Sequence, residues 1–230
     1  MKILKQSLCA AALVGLAFSV PLTAQAALTL TLDDGAGNVV TVVDGGVGDA
    51  NPLVGAVTFV GAVGNWSANV TTGFTLPVLT LPQLIDLNSI NATSAGGGTL
   101  TILLTEIGFA GPFDGMLAAN IGGTTPGTIA YDAWADATNV AGTIGGMGGA
   151  TNVFSGSHAA PPIAFSDSGT GAFISGGAYS LTLQTVITHT GAQNSSFDFA
   201  LRVPEPGMLA LLGIGLAGLG FGARRKKKAA

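Results

Sequence analysis

The sequence predicts an all-β body, a single antiparallel β-sandwich of the jelly-roll or Greek-key kind, flanked by an amino-terminal signal helix and a carboxyl-terminal transmembrane helix. Three observations carry this. Apolar residues alternate with threonine in short runs, glycine clusters separate the runs, and no stretch of the body shows a helical stripe. Only Pro82 to Leu87 offers a single helical turn. The division that follows is residues 1–26 as a signal peptide, 27–202 as the β-sandwich domain and 203–230 as a carboxyl-terminal address.

At the amino end, Lys2 and Lys5 precede a largely apolar run from Ser7 to Val20, then Pro21 and Ala24-Gln25-Ala26. A basic head, a moderate apolar run and a small-x-small site are the parts of a secretory signal. The run falls short of the ~20 residues a spanning helix needs. Cleavage is expected after Ala26, leaving Ala27 first, which implies Sec-type export machinery and a signal peptidase. The one cysteine, Cys9, lies in the removed segment, so the body has no disulfide, thiolate site or cysteine nucleophile.

Along the body, Leu28, Leu30 and Leu32 alternate with threonine, and so do Leu100, Ile102 and Leu104. Trp66, Ala68 and Val70 repeat the pattern, as do Phe197, Phe199, Leu201 and Val203. Successive strand side chains point to opposite faces, so such runs lay one face on a core and the other on water. The body holds 23 threonines, whose branched Cβ suits a pleated surface. Turns are marked by Asp34-Gly35-Ala36-Gly37-Asn38, Asp44-Gly45-Gly46, Gly96-Gly97-Gly98 and similar clusters. Ala27 to Val203 contains eleven acids and a single base, Arg202, a formal charge of −10. A phosphate backbone needs clustered Lys or Arg, so nucleic acid is excluded as a partner.

The carboxyl end reads in three parts. Val203-Pro204-Glu205-Pro206-Gly207 stops the last strand, since proline removes amide donors. Met208 to Ala223 is sixteen residues without a charge, ~24 Å as a helix. Arg224, Arg225, Lys226, Lys227 and Lys228 then hold the end on the cytoplasmic side. Pro204-Glu205-Pro206, the apolar run and the basic terminus together resemble the PEP-CTERM sorting signal. The resemblance implies an exosortase-like membrane protease as partner, in a Gram-negative bacterium that makes exopolysaccharide. It also implies transient inner-membrane anchoring, then release or attachment at the cell surface or in the extracellular matrix. The body is similar to the Gly- and Thr-rich β-bodies of such proteins, which bring no catalytic residues.

Chemistry within the body is sparse. His158 and His189 are the only histidines, and no Gly-x-Ser-x-Gly elbow accompanies them. Glu106 is the only glutamate, so no glycosidase pair stands out. The favoured class is therefore a non-enzymatic surface protein. Asp132 and Asp136 flank Trp134, an arrangement that stacks on a sugar face and hydrogen-bonds its hydroxyls; an aromatic packed in a sandwich beside solvated aspartates gives the same residues. Carbohydrate (exopolysaccharide) binding is thus the alternative function, and a secreted hydrolase the third. No cofactor is called for, although Asp33, Asp34, Asp44 and Asp49 on glycine turns supply the hard oxygens that calcium prefers. Aspartate at a turn equally serves its own backbone. Asn65, Asn69, Asn91 and Asn194 begin glycosylation-type tripeptides, and Gly218 and Gly222 form a G-x-x-x-G spacing in the tail.

Overall fold

The computed structural model describes residues 28–75, 79 and 83–204. The signal segment, the cleavage site at Ala26 and Ala27, and the tail from Glu205 onward lie outside the described residues. Twelve strands form within them. The first six are β1 Thr29–Asp33, β2 Val39–Val43, β3 Ala56–Val63, β4 Trp66–Thr75, β5 Gln83–Ser94 and β6 Gly98–Phe109. The second six are β7 Phe113–Thr124, β8 Thr128–Asp136, β9 Thr151–Ala159, β10 Ala164–Ser175, β11 Tyr179–His189 and β12 Gln193–Arg202.

The strands make two six-stranded sheets, in the orders β2-β1-β6-β11-β8-β9 and β10-β7-β12-β5-β4-β3, and every pairing is antiparallel. From β5 to β12 the chain crosses between the sheets so that β5-β12-β7-β10 faces β6-β11-β8-β9, the strand order of a jelly roll. β1 and β2 extend one sheet, and β3 and β4 the other. The all-β expectation is met. Pro82–Leu87 departs from it in detail: instead of a helical turn, residues from Gln83 onward open β5, where Ile85 and Leu87 pair with Leu201 and Phe199. The partner strand supplies a ladder and a core face that an isolated helical turn lacks.

The alternation read from the sequence maps onto the core. Leu28, Leu30, Leu32, Leu100, Ile102, Leu104, Phe197, Phe199 and Leu201 are all buried between the sheets, with Trp66 and Val70 from the other edge. Each large apolar side chain so buried contributes roughly 1.5–3 kcal/mol relative to exposure. Their neighbours on the strands turn outward.

Two ends of the sandwich can be told apart. One carries the β1–β2, β3–β4, β5–β6 and β11–β12 turns. There Gly64 holds φ +55, and a Cβ on it would collide with Asp34 Oδ2. Only glycine fits where the β1–β2 turn crosses the β3–β4 turn. The opposite end carries the β2–β3, β8–β9 and β10–β11 connections, and there β12 finishes at Arg202, paired with Gln83. Val203 packs half-buried against the core and Pro204 follows. The tail therefore leaves from this end, called the tail end below.

Candidate functional site

The outer face of the β6-β11-β8-β9 sheet carries the sequence-derived sugar candidates. Strand alternation turns Tyr131, Ala133 and Ala135 into the core and leaves Asp132 and Trp134 on the outer face, both half-buried. Asn152 of β9 donates to Asp132 Oδ1 at 2.9 Å, and Thr182 of β11 is the register partner of Trp134. Trp134 Nε1 is buried with no hydrogen-bond partner among the described residues. Asp136 is not part of this face. It is buried, and its Oδ1 accepts from the Thr138 amide and hydroxyl, both at 2.6 Å, to start the β8–β9 segment.

That segment folds back over the outer face. Asn139 Oδ1 accepts from the Gly108 amide at 2.6 Å, and Ser180 donates to the Val140 carbonyl at 2.5 Å. The Thr105 and Thr182 hydroxyls meet at 2.8 Å, and the Gly142 amide donates to Thr105 Oγ1 at 3.3 Å. Further along the same sheet is a shallow hollow of about 240 Å³ lined by Ala130, His158, Val186 and Thr188, among others. This is below the ~300–1,000 Å³ usual for small-molecule sites. His158 stands at its rim, 2.7 Å from the Pro162 carbonyl and stacked on Phe165 at 5.2 Å between ring centroids.

His189 has a different surrounding. It is buried at the end of β11, against Trp66 at 4.7 Å between ring centroids. Nδ1 lies 2.9 Å from Ser94 Oγ, Nε2 lies 2.7 Å from Ser195 Oγ, and Ser195 and Thr125 hydroxyls are 2.7 Å apart. Ser94 gives its proton to the Gly191 carbonyl at 2.7 Å and Ser195 gives its own to Thr125 Oγ1, so the ring N–H donates to a serine hydroxyl oxygen. Burial holds its pKa below the ordinary histidine value. The partners are hydroxyls and not a carboxylate, and the site is closed to substrate; the geometry is that of a satisfied core network.

Two carboxyls are strongly perturbed. Glu106 is buried at the inner face of β6 near the tail end, and burial, reinforced by Asp44, pushes its pKa up to about 8. Its Oε2 is hydrogen-bonded to Thr75 Oγ1, which also lies 3.2 Å from the Leu84 carbonyl. Thr75 has one proton for two acceptors, and a protonated Glu106 supplies the second. Asp86 on the outer face of β5 is raised to about 6 by burial and by Asp198. Asp198 Oδ1 in turn accepts from the Ser89 amide at 2.5 Å, where Ser89 sits at φ 52 in an irregularity of β5.

The calcium candidates turn onto backbone amides. Asp33 Oδ1 accepts from the Gly35 amide, and Asp34 Oδ1 from Ala36 and Asn38. Asp49 accepts from Gly45, Asn51 and Thr58, and Asp44 Oδ2 from Gly55 at 2.7 Å. Among the described residues no three His, Asp or Glu side chains gather as a metal site.

No curated protein matches the chain. Among solved structures it is similar to TmCBM61, which was determined with β-1,4-galactotriose, at 7% identity and TM-score 0.37, over 68% of this chain and 92% of that one. It is also similar to an adhesin domain of Lys-gingipain from Porphyromonas gingivalis, at 12% identity and TM-score 0.33, over 65% and 98%. The family comparison falls on the segment that begins as β12 ends. Residues 202–226 match the PEP-CTERM protein-sorting motif, and this chain is a β-sandwich carrying that sorting signal at its carboxyl end.

Proposed function

We propose that the chain is an exported, non-enzymatic protein whose β-sandwich is delivered to the cell surface or extracellular matrix. Its tail anchors it briefly in the inner membrane until an exosortase-like protease cuts near Pro204 to Gly207. The observation that carries this is the place of the motif match: residues 202–226 start where the last core strand stops. The test is replacement of Pro204 and Pro206 by Ala. The apolar run and basic end are untouched, so the precursor should still insert but should collect uncleaved in the inner membrane. Normal maturation of that variant would refute the assignment.

The second reading is carbohydrate binding on the outer sheet face. It is favoured by Trp134, partly exposed on the outer face beside Asp132 and Asn152. Uptake by immobilised exopolysaccharide, lost in Trp134→Ala, would support it. Absence of uptake by the unaltered protein would remove it.

A further inference from the structure

The exposed apolar side chains are not spread evenly. Of eleven large ones among the described residues, only Val39, Val60 and Ile163 lie away from the tail end; the other eight crowd it. The most prominent lie in the connections there: Val47 is 99% exposed, Leu53 57% and Val54 49% on the β2–β3 loop, and Val140 56% on the β8–β9 segment beside Ser180. Ile107 and Ile174 stand exposed on the strand ends beside them. Exposed hydrophobic residues in connections oppose the usual polar character of such segments and mark a surface that meets something apolar.

The backbone explains how they come to point outward. Asp44 and Asp49 turn their carboxylates onto the Gly55, Gly45, Asn51 and Thr58 amides, closing the β2–β3 loop from within. The acids are thus engaged inside the loop, while Val47, Leu53 and Val54 project.

The occupant follows from chain length. Arg202 ends β12 at this same end, and Val203 to Gly207 is five residues, at most ~18 Å of chain, before the uncharged run from Met208 to Ala223. Whatever apolar phase receives that run must lie close to these connections. We propose that the tail end of the body rests in the headgroup interface of a phospholipid bilayer, with Val47, Leu53, Val54 and Val140 inserted among the lipids. The contact is apolar and not electrostatic, because the body is acidic and Arg202 is its one cation. The anchored precursor is then held upright, with the far-end turns directed away from the membrane and the Pro204 region held at the lipid surface. This inference rests on the tail's being a membrane anchor.

The experiment keeps the two apart. The full chain with Cys9→Ser has no other cysteine, so single-site variants Val47→Cys, Val140→Cys, Asn65→Cys and Gly213→Cys each take one environment-sensitive dye. After reconstitution in phosphatidylcholine vesicles containing doxyl-labelled lipid, dyes at positions 47 and 140 should shift to the blue and be quenched. The dye at position 65, in the far-end turn, should do neither. Replacing Val47 and Val140 by Asn should abolish quenching of a dye at Leu53→Cys, and adding salt should not. Unquenched dyes at 47 and 140 overturn the proposal whichever way position 213 reads. An unquenched dye at position 213 overturns the anchoring reading instead.

Discussion

Replacing Glu106 by Gln should remove a loss of stability that the natural protein suffers as pH rises. The sign follows from the direction of the shift. Burial raises the Glu106 pKa from 4.5 in the unfolded chain to about 8 in the folded one, so between those values the folded state holds a proton that the unfolded state has released. Stability then falls as pH rises through that window. From pH 6.5 to 8 the loss is at most about 2 kcal/mol, at 1.36 kcal/mol per unit. For a domain of this size that is roughly 4–8 °C in Tm. Asp86 acts in the same direction, but its window closes near its folded value of about 6, so the range above pH 6.5 isolates Glu106. Glutamine keeps the shape, stays neutral throughout and donates an N–H to Thr75. The assay is thermal unfolding by circular dichroism at pH 5, 6.5, 7.25 and 8. The natural protein and Glu106→Gln should agree near pH 5 and diverge above pH 6.5, with the variant the more stable. Parallel curves up to pH 8 would mean that Glu106 ionises freely, and the argument from its burial would fail.

Thr185 is fully buried in the middle of β11 and its Oγ1 has no hydrogen-bond partner among the described residues. Thr185→Val should stabilise the body by about 1 kcal/mol in denaturant titration, since an isosteric methyl removes an unsatisfied hydroxyl; a destabilised variant would show the hydroxyl is paired. His189, held neutral by burial, should make stability fall as pH drops below ~6.5, the unfolded-chain value. Relative to a His189→Gln variant, the natural protein should lose stability more steeply from pH 6.5 to 5, and equal slopes would contradict a buried neutral ring. Truncation after Pro204 should leave the Tm of the body unchanged, because the last ladder pair is at Arg202; an unfolded truncation would make the tail structural.

Much of the sandwich is readable because it rests on local alternation. Leu28 to Leu32 and Phe197 to Leu201 announce both strand and inner face. What alternation cannot give is partnership: β12 lies between β5 and β7, whose residues are far away in sequence, and no local signal encodes that choice. The same limit hides the His189 network, which draws Ser94, Thr125 and Ser195 from three separate segments. Asp136 shows a different limit. Its spacing from Trp134 places it on the outer face, but the strand ends there and the carboxylate turns to cap the following loop. Asp44 and Asp49 stand on glycine turns that suit an ion or the backbone alike, and the amides they accept from, up to Gly55 and Thr58, are not marked by the local spacing. The exposed Val47, Leu53 and Val140 sit in irregular connections, Val47 among glycines, where periodicity has no face to report.

The central claim, an exported body processed at its carboxyl end, is tested most directly by intact mass. Protein recovered from the envelope and from the medium reads both ends of the chain in one measurement. The external form should begin at Ala27 and lack Met208 to Ala223, while any inner-membrane form should retain that run. An external form that still begins at Met1, or that keeps the apolar run and its basic end, would contradict the account.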